Sequence, residues 1–350
     1  MKVKTGQVPA LDGLRGIAIF FVLLVHFYQK TFFTSVPESQ MLLTRMIAPL
    51  AYGVELFFVL SGFLITGILL DTKSGKGFLY RFYARRVLRI FPLYFGALAV
   101  LFFVVPQLIE LDRAASEIVE HQLRLWTYVS NWPTHWIWDD SSLFKLGHFW
   151  SLAVEEHFYM VWPLVVWRLS NRRILHVVIG LLIMSATLRL IGSLSSSSFP
   201  LFHWSTLTKI DGLAAGSALA VILREPSAAW LPEERSLQKI VILLSMAAGI
   251  YFFLPRFLLA SWPAVAFGET IIAGLFTAML LGAYRSQAGG WAHQLLTRRS
   301  LIALGKYSYG IYIIHGILRP AFARLFDFHS WSDGLASAAF AQLLYWTLTI

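Results

Sequence analysis

Long apolar runs recur along the chain, and short polar or basic connections separate them. Several of these runs reach about 18 residues, the length that a helix needs to cross the hydrocarbon of a bilayer. The pattern predicts an all-α fold, a polytopic integral membrane bundle of about ten transmembrane helices. We place these helices at 11–29, 48–70, 91–109, 149–168, 174–192, 208–224, 238–254, 264–284, 303–320 and 334–350.

The composition favours burial in lipid over a water-facing surface. Of the 350 residues, 57% are hydrophobic and only 14% are charged, whereas a soluble domain carries about 25% charged residues. The apolar run from Leu11 is read as a retained first helix, because no small-x-small cleavage site follows it. No repeat and no appended soluble domain is visible, so residues 1–350 are predicted to form a single transmembrane domain.

The charge of the chain bears on its partners and its orientation. A net charge of +10 would suggest nucleic acid in a soluble protein. Here the basic residues lie in short connections, where they set orientation and meet anionic lipid headgroups, so nucleic acid is not expected. Counting Lys and Arg in alternate connections places the N-terminus in the cytoplasm and the longest loop, about 110–148, outside. The absence of cysteine excludes thiolate metal ligands and a cysteine nucleophile.

The first predicted helix carries Arg15 and His26, although a charged group in hydrocarbon costs roughly 2.5–3.5 kcal/mol on insertion scales. Eleven residues separate the two, so on a helix they share one face with about 16 Å of rise between them. Arg15 would lie near the cytoplasmic entrance and His26 deeper, toward the outer side. The structural alternative is that Arg15 snorkels to the interface while His26 bonds a neighbouring helix.

A basic cluster formed by Arg85, Arg86 and Arg89 precedes the third predicted helix. Spacings of three and four place Arg89 on a common helical face with each of the other two. Guanidinium forks match phosphate groups, so the cluster predicts a phosphate-binding patch at the cytoplasmic mouth. Control of orientation by positive charge alone would explain it as well.

Polar residues also open the fourth predicted helix. The adjacent Glu155 and Glu156 run directly into an apolar stretch, so at least one of them points into the bundle, although both would also favour the helix dipole. Steps of three and four place a set of residues on one face, namely His148, Ser151, Glu155 and Tyr159. The segment lacks the His-x-x-x-His spacing of zinc helices, and no metal site is predicted.

Three weaker candidates lie on other predicted helices. Ser61 precedes a glycine in the second helix, where a Ser-Gly pair equally suits close helix packing. Asp211 opens the sixth helix, where an internal pair with Lys209 is the structural alternative. His315 lies near the middle of the ninth helix.

The predicted outer loop is the last candidate region. The candidate residues in this loop are Trp126, Asn131, Trp132, Trp136, Trp138, Asp139 and Asp140. Tryptophan together with Asp and Asn is a combination that stacks on sugars and hydrogen-bonds to them. Tryptophan is also ordinary at a membrane interface, so both readings stay open.

Five of these segments, in their order along the chain, resemble the membrane-bound acyltransferase 3 family of carbohydrate O-acyltransferases. Together they span residues 10 to 316, and His157 stands where that family usually has Gln. The matching segments are 11–16 with His26 (an Arg-x10-His signature), 53–65 (the second-helix block), 86–94 (an Arg-x-x-Arg block), 150–159 (a Trp-Ser-Leu-x-Val-Glu-Glu-Gln-Phe-Tyr block) and 307–315 (the late Ser-Tyr-x-x-Tyr-x-x-His helix).

The resemblance implies transfer of an acyl group, usually acetyl, from cytoplasmic acyl-CoA to a hydroxyl of a carbohydrate or glycoconjugate. It further implies a bacterial inner membrane. Together with the orientation from the Lys and Arg count, we expect the acceptor site toward the outer side. The resemblance also implies that the Arg15–His26 pair and the Arg-x-x-Arg block are needed for activity.

The residue patterns and the family resemblance together give each candidate an expected role. The catalytic group is His26 as general base, with Arg15, Glu155 and Glu156. The residues expected to bind acyl-CoA are Arg85, Arg86 and Arg89 at its phosphates and Ser61 at the thioester oxygen. The residues expected to bind the acceptor are Trp126, Asn131, His148, Tyr159, Asp211 and His315.

Two other classes compete with this reading. A transporter or flippase would also bury charged residues, but two matching halves with broken helices are not visible. A glycosyltransferase would need clustered aspartates, and the one such pair, 139–140, lies in the predicted outer loop. Direct transfer and transfer through an acylated His26 remain alternatives, and the acceptor, the acyl chain length and the oligomeric state stay open.

Overall fold

The computed structural model describes residues 8–32, 47–132, 144, 146–194, 204–225, 232–253, 262–286 and 290–326, and all regular structure in these ranges is helical. The predicted helix at 334–350 and the loop residues Trp136, Trp138, Asp139 and Asp140 lie outside the described residues.

The described helices follow one another with short connections. They are α1 (Pro9–Phe32), α2 (Gly53–Thr72), α3 (Phe78–Ala99), α4 (Val105–Leu108), α5 (Arg113–Glu120), α6 (Leu123–Trp126), α7 (Phe149–Arg168), α8 (Asn171–Leu194), α9 (Asp211–Ile222), α10 (Glu234–Phe253), α11 (Trp262–Arg285), α12 (Trp291–Leu296) and α13 (Arg299–Phe326). A 3-10 turn at Ala48–Tyr52 leads into α2, a π turn at Val100–Val104 joins α3 to α4, and a 3-10 turn at Thr206–Thr208 precedes α9.

The all-helical membrane fold is confirmed, but the count of about ten spans is not. Among the described residues, six helical segments are long and apolar enough to cross a bilayer: Pro9–His26, Pro49–Thr72, Phe78–Leu108, Asn171–Leu194, Ala266–Arg285 and Arg299–Leu318. Helix α9 has only 12 residues, and the 20-residue α7 carries two carboxylates and an arginine. The side of the membrane that holds the N-terminus stays a prediction.

The structure differs from the prediction at the start of the third helix and within the predicted outer loop. The third helix begins at Phe78 rather than at 91, directly after Gly77, whose φ of +66° suits glycine. The arginine cluster therefore belongs to a helix and not to a connection. The predicted outer loop also contains α5, where the Asp112 side chain caps the helix by accepting a hydrogen bond from the Ala115 amide at 2.6 Å.

Helix α2 lies at the centre of the bundle and packs against α1, α7, α9 and α11. It meets α9 at two glycines where the backbones nearly touch. A Cβ atom on Gly62 would lie 2.1 Å from the Leu213 carbonyl oxygen, and one on Gly216 would lie 2.0 Å from the Val59 carbonyl oxygen. Small residues permit such close approach between membrane helices, so this contact holds α2 in place beside the polar site.

We predict that Gly216→Ala lowers the thermal unfolding temperature of the protein in detergent micelles. The added methyl group overlaps the Val59 carbonyl, and overpacking of this kind costs about 1–3 kcal/mol. Gly180→Ala in α8 is the matched control, because a Cβ there meets nothing within 4 Å. An unfolding temperature for Gly216→Ala at or above that of Gly180→Ala would show that the α2–α9 contact is not tight.

Candidate active site

A polar cavity of about 80 Å³ lies where α1, α2, α3, α7 and α13 meet, and we call it the inner cavity. Its walls contain eight of the residues singled out in the sequence, contributed by four separate helices. These residues are Arg15, Ser61, Arg86, Arg89, Ser151, Glu155, Glu156 and Tyr159. Residues up to 144 positions apart in the sequence are therefore brought together in one place.

Helix α7 supplies one wall of the inner cavity through the predicted face of Ser151, Glu155 and Tyr159. The Ser61 hydroxyl donates to Glu155 Oε1 at 2.7 Å, and the Tyr159 hydroxyl donates to Ser61 Oγ at 3.2 Å. Because a hydroxyl has one proton, Ser61 can act as an oxyanion donor only if its contact with Glu155 breaks.

Three arginines and two glutamates give the inner cavity its charge. The Arg86 guanidinium lies 4.9 Å from the centre of the Tyr159 ring, a cation–π contact that fixes its direction. Glu155 interacts electrostatically with both Arg86 and Arg15. Charges of both signs thus line the cavity, and they can orient a polar ligand.

A second cavity of about 450 Å³ opens beside the turn between α2 and α3, and we call it the basic mouth. Its size falls in the range of roughly 300–1,000 Å³ that is usual for small-molecule sites, whereas the inner cavity is much smaller. Arg85, Arg86 and Arg89 line the basic mouth, and their binding of phosphate stays a prediction. Lys76 and Arg81 also line it.

Arg86 and Arg89 line both cavities, so they stand at the junction between the basic mouth and the inner cavity. Sequence reasoning missed Lys76 and Arg81. Arg81 was detectable in principle, since it continues the four-residue spacing of Arg85 and Arg89 one turn toward the start of α3.

The three candidate histidines lie together although they come from distant parts of the sequence. His26 Nδ1 lies 2.8 Å from His315 Nε2, and the two rings are nearly parallel with centres 5.1 Å apart. The His148 ring centre is 4.6 Å from that of His315. Within the described ranges, no group of three His, Cys, Asp or Glu side chains is arranged to hold a metal ion.

Tyr312 connects the histidines to the inner cavity, which His26 itself does not line. The Tyr312 phenol lines that cavity, lies 2.5 Å from Ser151 Oγ and donates to the His148 carbonyl at 3.0 Å. His315 Nδ1 lies 2.6 Å from the Tyr312 carbonyl oxygen. Arg15 and His26 therefore share the predicted helix but contact different compartments of the site.

Tyr128 is a lining residue that the sequence did not single out. Its φ of +57° is uncommon for a bulky residue, and such strain tends to occur at functional sites. Its ring stacks on Tyr94 at 4.3 Å, and its buried hydroxyl has no hydrogen-bond partner among the described residues. Burial, with a smaller effect of Glu156, raises the pKa of the Tyr128 phenol, so it stays protonated as a donor.

Trp126 and Asn131 occupy structural positions and line neither cavity. The Trp126 ring stacks on Phe95 with centres 5.7 Å apart. The buried Asn131 donates through Nδ2 to Thr206 Oγ1 at 3.0 Å, which ties the segment after α6 to the segment before α9. Their expected contact with the acceptor stays a prediction.

Asp211 also lines neither cavity, and its expected contact with the acceptor stays a prediction. The structural alternative of a pair with Lys209 is not what the structure has. The Arg189 guanidinium of α8 donates two hydrogen bonds to the Asp211 carboxylate, with N–O distances of 3.1 and 2.9 Å, and both side chains are buried. Lys209 pairs instead with Glu269 of α11. A bidentate guanidinium matches a carboxylate better than an ammonium does, so the ion pairs connect α8, α9 and α11.

The comparisons with known proteins agree with the motifs in this site. A family model described as an acyltransferase domain matches residues 8–350. The peptidoglycan O-acetyltransferase OatA of Listeria monocytogenes is 27% identical over 88% of this chain and 49% of its own length. A putative O-acetyltransferase of Staphylococcus aureus is 26% identical (89% and 50%), and the O-acetyltransferase OatA of that organism is 25% identical (88% and 50%).

The chain thus spans about half the length of the curated relatives it matches. No solved structure matches it.

We predict that Arg189→Met destabilises the protein by roughly 3–5 kcal/mol, because it leaves the buried Asp211 carboxylate unpaired. Unfolding in detergent micelles measures the effect. Arg224→Met is the control, since the Arg224–Asp71 pair is partly exposed and its loss should cost about 0–1 kcal/mol. If Arg189→Met does not accumulate, Arg189→Met with Asp211→Leu should restore folded protein. Equal unfolding of the Arg189 and Arg224 variants would contradict the account.

Proposed function

Because the chain belongs to the acyltransferase 3 family, we propose that it is a membrane O-acyltransferase that moves an acyl group, acetyl above all, from acyl-CoA to a hydroxyl of a carbohydrate. The relatives are named O-acetyltransferases, and one of them acts on peptidoglycan by its name. The observation that carries the proposal is the position of Arg86 and Arg89 on the walls of both the basic mouth and the inner cavity.

The donor would bind with its nucleotide end in the basic mouth. The phosphate groups of acyl-CoA carry several negative charges, and five basic side chains line that cavity: Lys76, Arg81, Arg85, Arg86 and Arg89. One guanidinium group can donate two parallel hydrogen bonds to the oxygens of a phosphate group. The thioester end would pass Arg86 and Arg89 into the inner cavity, which is small enough to favour a short acyl group.

The acceptor hydroxyl would lose its proton to His26 as its oxygen attacks the thioester carbonyl carbon. The carbon–sulfur bond then breaks, and the thiolate of coenzyme A leaves. The thiolate takes up the proton that His26 removed from the acceptor, which returns His26 to its neutral form. Arg15 in the inner cavity would offset the negative charge that develops on the thioester oxygen. In the alternative route, His26 first takes the acyl group and then passes it to the acceptor.

Access between His26 and the inner cavity runs through Tyr312. Its phenol, hydrogen-bonded to Ser151, lines the cavity, whereas its carbonyl contacts His315. We expect donor or acceptor binding to open the Ser151–Tyr312 contact. Glu155 and Glu156 would then hold acceptor hydroxyls, since carboxylates accept such hydrogen bonds.

The proposed location is a bacterial inner membrane, with the basic mouth toward the cytoplasm, where acyl-CoA is made. The acceptor would approach from the outer side. Both statements rest on the distribution of Lys and Arg and on the family.

We predict that purified protein given labelled acetyl-CoA and a panel of glycans transfers label to a glycan, and that His26→Ala and Arg89→Ala each lose the transfer. His26→Ala removes the base, which contributes about 10²- to 10⁴-fold, and Arg89→Ala removes one of the two arginines that line both cavities. Arg89→Ala should also weaken coenzyme A binding, whereas His26→Ala should not.

His176→Ala and Arg172→Ala are the matched controls. Both residues are on α8 and line neither cavity, so their variants should transfer label as the wild type does. If the folded wild-type protein neither binds coenzyme A nor transfers label, the acyltransferase proposal is wrong and a glycoconjugate transporter or flippase becomes the better explanation.

A further inference from the structure

The contact between His26 and His315 gives His315 a role other than binding the acceptor. We propose that His315 is a positioning residue that holds His26 in one tautomer and one ring orientation, with the basic nitrogen at Nε2. The inference rests on the proposed function only in naming His26 as the base, because the hydrogen-bond argument itself needs no reaction.

The argument begins at the Tyr312 carbonyl, which can only accept a hydrogen bond. His315 Nδ1 lies 2.6 Å from that oxygen. His315 Nδ1 must therefore carry a proton. In a neutral imidazole one nitrogen is protonated and the other is not, so the lone pair of neutral His315 lies on Nε2.

His315 Nε2 in turn faces His26 Nδ1 at 2.8 Å. Because Nε2 of neutral His315 can only accept, His26 Nδ1 must donate, and the lone pair of neutral His26 is then on Nε2. The chain of hydrogen bonds runs from His26 through His315 to the Tyr312 carbonyl. It fixes the tautomer of His26 in the way that an orienting partner fixes a catalytic histidine.

Ring geometry supports positioning as well as tautomer choice. The His26 and His315 rings are within 5° of parallel, so rotation of His26 breaks both the hydrogen bond and the ring contact. His148 packs on His315 at 4.6 Å, and Tyr312 packs on it at 5.5 Å. His315 is 2% exposed and is itself held in place.

The same contact also assists the proposed proton transfer. When His26 Nε2 takes the acceptor proton, the ring becomes an imidazolium with protons on both nitrogens. Its Nδ1–H then donates a charge-assisted hydrogen bond to His315 Nε2, which is stronger than the neutral bond it replaces. His315 keeps its own proton throughout, so the proton balance of the reaction is unchanged.

Nitrogen-15 NMR of histidine-labelled protein in lipid tests the tautomer directly. At a pH where the rings are neutral, we expect the His26 signal, assigned by its loss in His26→Gln, to be that of an Nδ1–H ring. In His315→Phe the same signal should shift toward a mixture of both tautomers. An Nε2–H ring for His26 in the wild-type protein would overturn the inference, even if acyl transfer is confirmed.

Kinetics test the positioning role. His315→Phe keeps a ring but removes the acceptor, so we expect kcat to fall, by up to the roughly 10²- to 10⁴-fold that a positioned base contributes, with KM for acetyl-CoA nearly unchanged. His315→Gln offers a carboxamide oxygen to His26 and should recover part of the rate. The double variant His26→Ala with His315→Phe should be no slower than His26→Ala alone.

Separate results identify which proposal fails. An Nδ1–H ring on His26 without any acyl transfer would leave the positioning inference intact and overturn the proposed function. Normal kcat in folded His315→Phe, or a rise in KM alone, would overturn the positioning role and leave the acyltransferase standing. Thermal unfolding of each variant shows that it is folded before its rate is compared.

Discussion

The cost of placing charge between apolar helices separates two sets of charged side chains in this chain. One set is closed: Arg189 with Asp211 and Lys209 with Glu269 satisfy each other and line neither cavity. The other set faces open space, with Arg86 and Arg89 on the walls of two cavities. Charges in the first set connect helices, and charges in the second are available to a ligand. Glu55 differs from both, since its buried Oε1 has no partner among the described residues.

The closed set and the glycine contacts hold α2, which carries Ser61 on the wall of the inner cavity. Helix α2 bears Ser61, and the adjacent Gly62 brings its backbone against α9. Arg189 then ties α9 to α8 and α11 through Asp211, the Thr208 and Ala266 carbonyls and Thr270. Rigid support of this kind keeps catalytic side chains in position. Substitutions that break these contacts should therefore alter the site, although they change no residue that lines a cavity.

Local patterns predicted the parts of the site that depend on one helix. The steps of three and four on α7 placed Ser151, Glu155 and Tyr159 on one cavity wall, and the spacing of Arg86 and Arg89 placed both at the mouth. Contacts between distant segments were out of reach, because His26 and His315 are 289 residues apart. The left-handed backbone of Tyr128 also left no signal, since tertiary packing and not residue type imposes it.

We proposed that the donor reaches from the basic mouth past Arg86 and Arg89 into the inner cavity. The most direct test is photo-cross-linking with an acetyl-CoA analogue that carries a diazirine in its acyl group, followed by peptide mapping. The account predicts labelled peptides from α2, α7 or α13 or around Tyr128, suppressed by excess coenzyme A and by Arg86→Gln with Arg89→Gln. Labelling confined to helix surfaces that face away from both cavities would contradict the account. Labelling that neither coenzyme A nor the double substitution reduces would also contradict it.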